Sequence, residues 1–309
     1  MSEPNNNPPR YAGIPTFMRL PVYEPGVAAD IAIVGVPYDG GVTNRPGTRH
    51  GPREVRNESS LIRRVNQATG AAPFEGATVV DGGDVPFERI YNLDDAHSDI
   101  EKAFKGWRED GLRVLAVGGD HSISLPILRA LADQGAPFAM VHIDAHCDTG
   151  HENMGSRFHH GAPFSRAVEE GLIDPKRTVQ VGIRGTAASH DYWQFSYDSG
   201  MRVMKIEEVY DLGIKATIAE IRRVVGDGPC YLTFDIDSID PAFAPGTGTP
   251  EVGGLSSLEA LMLVRGLTGL NIVGADLVEV SPPFDQTGNT AHLAANILFD
   301  ILCVMTGGE

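Results

Sequence analysis

Eight short runs of apolar and β-branched residues punctuate the chain, and most are continuous instead of alternating. They are Asp30–Val36, Ala77–Val80, Arg113–Val117, Phe138–Ile143, Thr178–Ile183, Arg202–Ile206, Cys230–Phe234 and Asn271–Ala275. A strand that is apolar at every position is covered on both faces, as in a parallel sheet between helices. Between the runs lie helical patterns at Asp94–Trp107, Ser122–Asp133, Pro163–Glu170, Ile214–Val225, Ser256–Gly266 and Thr290–Met305. This alternation predicts an α/β fold, a three-layer α/β/α sandwich around a mainly parallel eight-stranded sheet. Such sheets bind ligands outside the carboxyl ends of their strands.

The first dozen residues are rich in Asn and Pro and predict a flexible arm over residues 1–12. From residue 13 to 309 no linker, repeat or shift of composition intervenes, so one domain is expected there. A formal net charge of −16 excludes ordinary nucleic-acid binding, which needs excess Lys and Arg, and favours cationic ligands and metal ions. The three cysteines, Cys147, Cys230 and Cys303, form no CxxC pair, which fits a reducing cytoplasm. The opening MSEPNNNPPRYAG lacks the basic start and apolar core of a signal peptide. The most apolar stretch, 291–305, is interrupted by His292, Asn296 and Asp300 and is shorter than the roughly 20 residues a membrane span needs. A soluble cytoplasmic protein with no membrane partner is expected.

Three segments that follow apolar strands carry the candidate chemistry. VLAVGGDHS holds Asp120 and His121, MVHIDAHCDTG holds His142, Asp144, His146 and Asp148, and YLTFDIDSIDP holds Asp235, Asp237 and Asp240. Residues two apart on a strand share a face, so Asp144 with His146 and Asp235 with Asp237 can converge at one end of the sheet. Burying so many carboxylates is prohibitive without counter-charge, which divalent cations supply. Mostly Asp oxygens with two imidazoles suit Mn²⁺, while Ni²⁺, Co²⁺, Fe²⁺ and Zn²⁺ stay open. Asp120 and Asp240 read as cap or turn residues, and His142 as a core histidine or one bonded to a neighbour. Strand alternation turns Cys147 away from the metals, which speaks against a nucleophilic role.

GGDHS, DAHCD and FDIDSIDPAFAPGTGTPEVGGL resemble the signatures of the ureohydrolases, the family of arginase, agmatinase and the guanidino-acid hydrolases. RYAGIPTFMRLP, GVPYDGG and RHGPREVR resemble its agmatinase-like branch, which includes guanidinobutyrase, guanidinopropionase and proclavaminate amidinohydrolase. The resemblance runs from about Tyr11 onwards. It implies an arginase-like fold and two divalent ions, Mn²⁺ or Ni²⁺. One ion would sit on His121, Asp144, Asp148 and Asp235, the other on Asp144, His146, Asp235 and Asp237, with Asp144 and Asp235 bridging. It also implies that His160 in HHGAPF shuttles a proton and that Glu279 in DLVEVSPPFD receives the guanidinium. A homo-oligomer, trimer or hexamer, is implied as well, and a hetero-oligomer with a related subunit is a variant of it.

The guanidinium carbon is a poor electrophile, and two metal ions would generate the strong nucleophile it needs at neutral pH. Asp148 would orient that nucleophile, Glu279 would fix the substrate cation, and His160 would protonate the departing amine, giving urea or a substituted urea. The loop HENMGSRF, with Asn153, Met154 and Arg157, is expected to read the rest of the substrate. Family members acting on carboxylate substrates commonly carry Asn where this chain has Gly150, which disfavours arginine. Arg157 could replace that function for guanidino acids, and Glu152 could attract a second cation such as agmatine offers. A small guanidine or biguanide fits too. The rival readings are a formimino-group hydrolase and a non-catalytic partner subunit.

Overall fold

Each apolar run becomes a strand of one sheet in a computed structural model that describes residues 9–132, 135, 137–187, 189 and 191–307. The strands are β1 Ile31–Val36, β2 Val79–Asp84, β3 Arg113–Gly118, β4 Phe138–Ile143, β5 Ile173–Ile183, β6 Arg202–Lys205, β7 Pro229–Asp235 and β8 Asn271–Val278. They run in the order β2-β1-β3-β8-β7-β4-β5-β6, and every pairing is parallel. The continuous apolar character has the expected cause, since β1 and nearly all of β3, β4 and β7 are buried.

The helices include α1 Gly51–Glu58, α2 Pro73–Gly76, α3 Leu93–Glu109, α4 Ser124–Leu131, α5 Pro163–Glu169, α6 Gln194–Ser199, α7 Ile206–Leu212, α8 Ile214–Val225, α9 Ser257–Arg265 and α10 Asn289–Met305. They cover both faces of the sheet. One apolar layer gathers Val55, Leu263 and Leu298 against Ile33, Leu115 and Leu232. The other gathers Phe104, Leu128 and Phe164 against Val34, Val114 and Met140. Start signals are legible locally: Asn92 accepts from Asp95 N at the head of α3, and Ser256 with Glu259 forms a capping box at α9.

Several expected boundaries shift. The second strand begins at Val79, later than Ala77, because the chain first turns through α2, and β5 starts five residues before Thr178. The helix expected at Ser122–Asp133 opens as a short 3-10 turn, His121–Ile123, and its last expected residue lies outside the described ones. The short helices α1, α2, α6 and α7 add to the six expected ones. The expected arm over 1–12 falls mostly outside the described residues. No helix among the described residues is long and apolar enough to cross a membrane.

Strand order positions the site. The central strands β3, β8, β7 and β4 all point their carboxyl ends the same way, at the place where the chain's connections diverge to the two halves of the sheet. His121 follows β3, Asp144 follows β4, Asp235 ends β7 and Glu279 follows β8.

Candidate metal centre

Asp235 closes β7 and caps the 3-10 turn after it, accepting from Asp237 N at 2.8 Å, so both carboxylates face the end of the sheet. Asp144 accepts from His146 N at 2.6 Å and so folds the chain straight after β4. Asp120 plays the cap role expected of it, accepting from Ser122 N and Gly41 N at 2.9 and 2.7 Å. Burial and nearby Glu279 push its pKa up to about 6. The preceding Gly119 packs against the turn after β1, where a Cβ would lie 2.1 Å from the carbonyl oxygen of Tyr38. Asp240 is a turn residue as well, accepting from Ala242, Gly253 and Gly254 N.

Four side chains converge on one point. His121 Nδ1 lies 3.2 Å from Asp144 Oδ2, 3.0 Å from Asp148 Oδ2 and 3.2 Å from Asp235 Oδ2. None of these oxygens is placed to accept a hydrogen bond from that buried nitrogen. Such separations are what donors about 2.1 Å from one shared ion show towards each other. A second point lies beside it, where His146 Nδ1 stands 3.5 Å from Asp144 Oδ1 and 3.1 Å from Asp237 Oδ2. Asp144 therefore offers one oxygen to each point. Asp144, His146 and Asp237 together form a group compact enough to hold one ion.

Charge tells the same story. Burial opposes charge on His121, but the three carboxylates outweigh it and raise its basicity well above that of an ordinary imidazole. His146 is raised likewise, against burial, by Asp237 and Asp144. Burial and repulsion from Asp237 and Asp144 push Asp235 well up, and burial with Asp144 raises Asp237. Asp144 is held well down against burial by His142, His121 and His146. A cluster of this kind calls for compensating positive charge, and the residues present fit two divalent ions.

Neighbours fix each donor. Asp276 on β8 is fully buried and accepts from Thr233 Oγ1 at 2.6 Å, from Ser124 Oγ at 2.6 Å and from Tyr231 Oη at 2.5 Å. With its own proton committed to Asp276, Thr233 accepts from His121 Nε2 at 2.8 Å, which leaves Nδ1 free as a ligand. On the other side, Arg184 is 8% exposed and donates to the carbonyls of Gly182, Asp237, Ser238, Ile239, Glu251 and Val252. It ties the turn that carries Asp237 to the Gly-rich loop beyond it.

Beside the ligands, His160 Nδ1 stands 2.9 Å from Glu279 Oε1. Its Nε2 lies 2.9 Å from Thr43 Oγ1, which can donate to it or accept from it, and 3.2 Å from Thr43 N. Burial lowers the pKa of His160, yet Glu279, Asp148 and Asp120 raise it to about 9. Glu279 also accepts from His121 N at 2.9 Å, while its buried Oε2 has no hydrogen-bond partner. Glu279 and Asp148 both adopt left-handed backbone, φ +65° and +49°, a strained state for non-glycine residues that clusters at functional sites.

The sequence model of the arginase family matches residues 29–304. The chain belongs to the arginase family. It is 54% identical to a guanidinopropionase of Pseudomonas aeruginosa, over 96% of this chain and 93% of that protein. A guanidinobutyrase of the same organism is 48% identical, over 98% and 95%. Among solved structures, proclavaminate amidino hydrolase from Streptomyces clavuligerus superposes with a TM-score of 0.93 at 42% identity, covering 98% of this chain and all of that one.

In this arginase-family chain the candidate ligands His146, Asp148, Asp235 and Asp237 open onto a cavity of about 450 Å³. Asn153, Glu152 and His151 of the expected specificity loop line it, as do Thr43, Tyr192 and Thr249. Two expected substrate contacts do not. Met154 is 97% exposed on the tip of its turn, and Arg157 points outward to Glu169 at 2.7 Å. Arg157 already has an anionic partner on the surface, so it supplies no charge to the cavity. His159 holds the loop closed, accepting from Gly161 N at 3.2 Å and bonding the carbonyl of His151 at 2.8 Å. Cys147 faces away from the ligands against Ile183, Val203 and Trp193, and burial pushes its thiol up to about 12. Sequence reading missed Thr43, Tyr192, Thr233, Asp276, Gln180 and Arg184. Buried polar residues inside otherwise apolar strands were the available signal for Thr233, Gln180 and Asp276.

Proposed function

We propose that this amidinohydrolase cleaves the guanidino C–N bond of a small substrate without a carboxylate, agmatine being the leading case, and releases urea and an amine. One observation carries the choice of substrate. The rim of the cavity bears Glu152, and no Lys or Arg lines it among the described residues. Two divalent ions would carry four positive charges and His160 a fifth, against Asp144, Asp148, Asp235, Asp237, Asp120 and Glu279, which leaves one negative charge for the guanidinium. Glu279 keeps one unpartnered oxygen, Oε2, for the guanidinium, and Glu152 on the rim favours a second cation at the far end.

When bound, the two ions supply a hydroxide nucleophile at neutral pH. His121, Asp144, Asp148, His146, Asp235 and Asp237 would hold them, with Mn²⁺ favoured by the oxygen-rich set and Ni²⁺ the alternative. The unpartnered Oε2 of Glu279 is free to accept from a guanidinium N–H and hold the carbon in line. His160, charged up to about pH 9, delivers its proton to the departing nitrogen, with Thr43 steadying the ring.

A guanidino acid is the second reading, favoured by the 54% identity to a guanidinopropionase. Urea release from agmatine, guanidinopropionate, guanidinobutyrate, guanidine and arginine, with Mn²⁺ or Ni²⁺, separates the two. Glu152→Gln should raise KM for agmatine about tenfold and leave that for the acids unchanged or lower. Arginine as best substrate would sink both readings. The buried, unpaired cysteines support a reducing compartment such as the cytoplasm. A homo-oligomer, trimer or hexamer, is the assembly we expect, and light scattering tests it.

A further inference from the structure

Gln180 stands in the middle of β5 between Val179 and Val181, fully buried, where an aliphatic side chain would pack without any polar requirement. It pairs in register with His142 on β4. Its amide nitrogen lies 2.6 Å from the carbonyl oxygen of Cys147 and 3.1 Å from His142 Nδ1, while its Oε1 has no partner. A buried unmade acceptor costs about 1–3 kcal/mol, so only the two N–H groups give this side chain a purpose.

The carbonyl of Cys147 fixes which way the amide points, because turning it round would set two carbonyl oxygens against each other. With the nitrogen there, its second hydrogen goes to His142 Nδ1, which must accept. The ring proton of His142 is therefore on Nε2, which lies 2.7 Å from Asp144 Oδ2 and donates to it. Although His142, His121 and Asp144 are close enough to share an ion, a protonated Nε2 cannot be a ligand. The second N–H acts on the other side of the centre. Cys147 sits between His146 and Asp148, and Asp148 is held in left-handed backbone.

We propose that Gln180 is a positioning residue of the metal centre. It locks His142 as an Nε2–H donor to the carboxylate of Asp144, and through the Cys147 carbonyl it holds the turn that presents Asp148. The inference rests on the two-ion reading of the site.

Three measurements test it. In ¹⁵N-histidine-labelled wild-type protein, His142, assigned by its loss in His142→Gln, should give the signature of the Nε2–H tautomer; an Nδ1–H tautomer overturns the proposal without any Gln180 variant. Calorimetric titration of chelator-treated protein with Mn²⁺ should show two ions per chain, and Gln180→Leu should weaken binding about 10–100-fold while urea unfolding shows a folded protein. Unchanged Mn²⁺ affinity in Gln180→Leu overturns the proposal. Wild-type protein that takes up fewer than two ions overturns the two-ion reading itself. The double variant Gln180→Leu with His142→Phe should lose less affinity than the product of the single losses, because part of the effect passes through His142; full additivity overturns that route.

Discussion

His160 concentrates the acid–base prediction. Its pKa is raised, so its charged form is favoured in the fold. That contribution to stability is complete below an ordinary imidazole's roughly 6.5 and is lost as pH climbs through about 9. Turnover should fall over the same alkaline range, because the departing amine then lacks its proton. His160→Asn should lower kcat about 10²–10⁴-fold, abolish that alkaline limb and leave two metals per chain. A variant that keeps the limb would show that another group titrates there. Gly150 yields a second single-residue expectation. Its N–H donates to Gly161 O at 2.8 Å, and a Cβ would sit 2.7 Å from that same oxygen. Gly150→Asn should therefore displace the turn carrying His160 and cut kcat with every substrate, instead of restoring recognition of a carboxylate. A gain with guanidino acids would refute this.

Strands and turns explain why much of the site could be read early. Asp144, His146, Asp235 and Asp237 announce themselves because charged residues clustered at the ends of apolar strands are costly to bury unless an ion compensates them. Thr233 and Asp276 escaped notice because their partners lie on neighbouring strands that only the sheet order brings together. Arg157 misled for the opposite reason: its charge was visible in the sequence, but Glu169, which neutralises it, is on α5. Thr233→Val should free the buried Nε2–H of His121, cost about 1–3 kcal/mol and weaken Mn²⁺ binding roughly 10–100-fold. Titrating chelated protein with Mn²⁺ and unfolding it in urea measures both effects. Arg184→Met should orphan several carbonyls in two turns and cost about 3 kcal/mol or more, read as a lower denaturant midpoint. A midpoint like that of the wild type would show the clamp to be dispensable.

For the whole molecule, the metals and the fold are linked thermodynamically. Ions that bind the native state alone stabilise it by about 4 kcal/mol at a thousand times Kd, so chelation should lower Tm by on the order of 5–10 °C. A scan against Mn²⁺ concentration checks this, and a Tm indifferent to metal would contradict the assignment. Eight apolar runs sufficed to foretell the sheet, because continuous burial leaves a plain mark in composition. Strand order left none, since every run is apolar for the same reason. That order has a consequence for biosynthesis. β3 and β4 are made early, yet they do not touch: β8 and β7, the last strands to leave the ribosome, lie between them. The nascent chain carries His121 and Asp144 on two separate halves until the final strands wedge in and bring them within reach. A chain stalled or cleaved before residue 229 has four of the six candidate ligands but neither β7 nor β8 to bring His121 and Asp144 together, and it should bind Mn²⁺ far more weakly than the full chain.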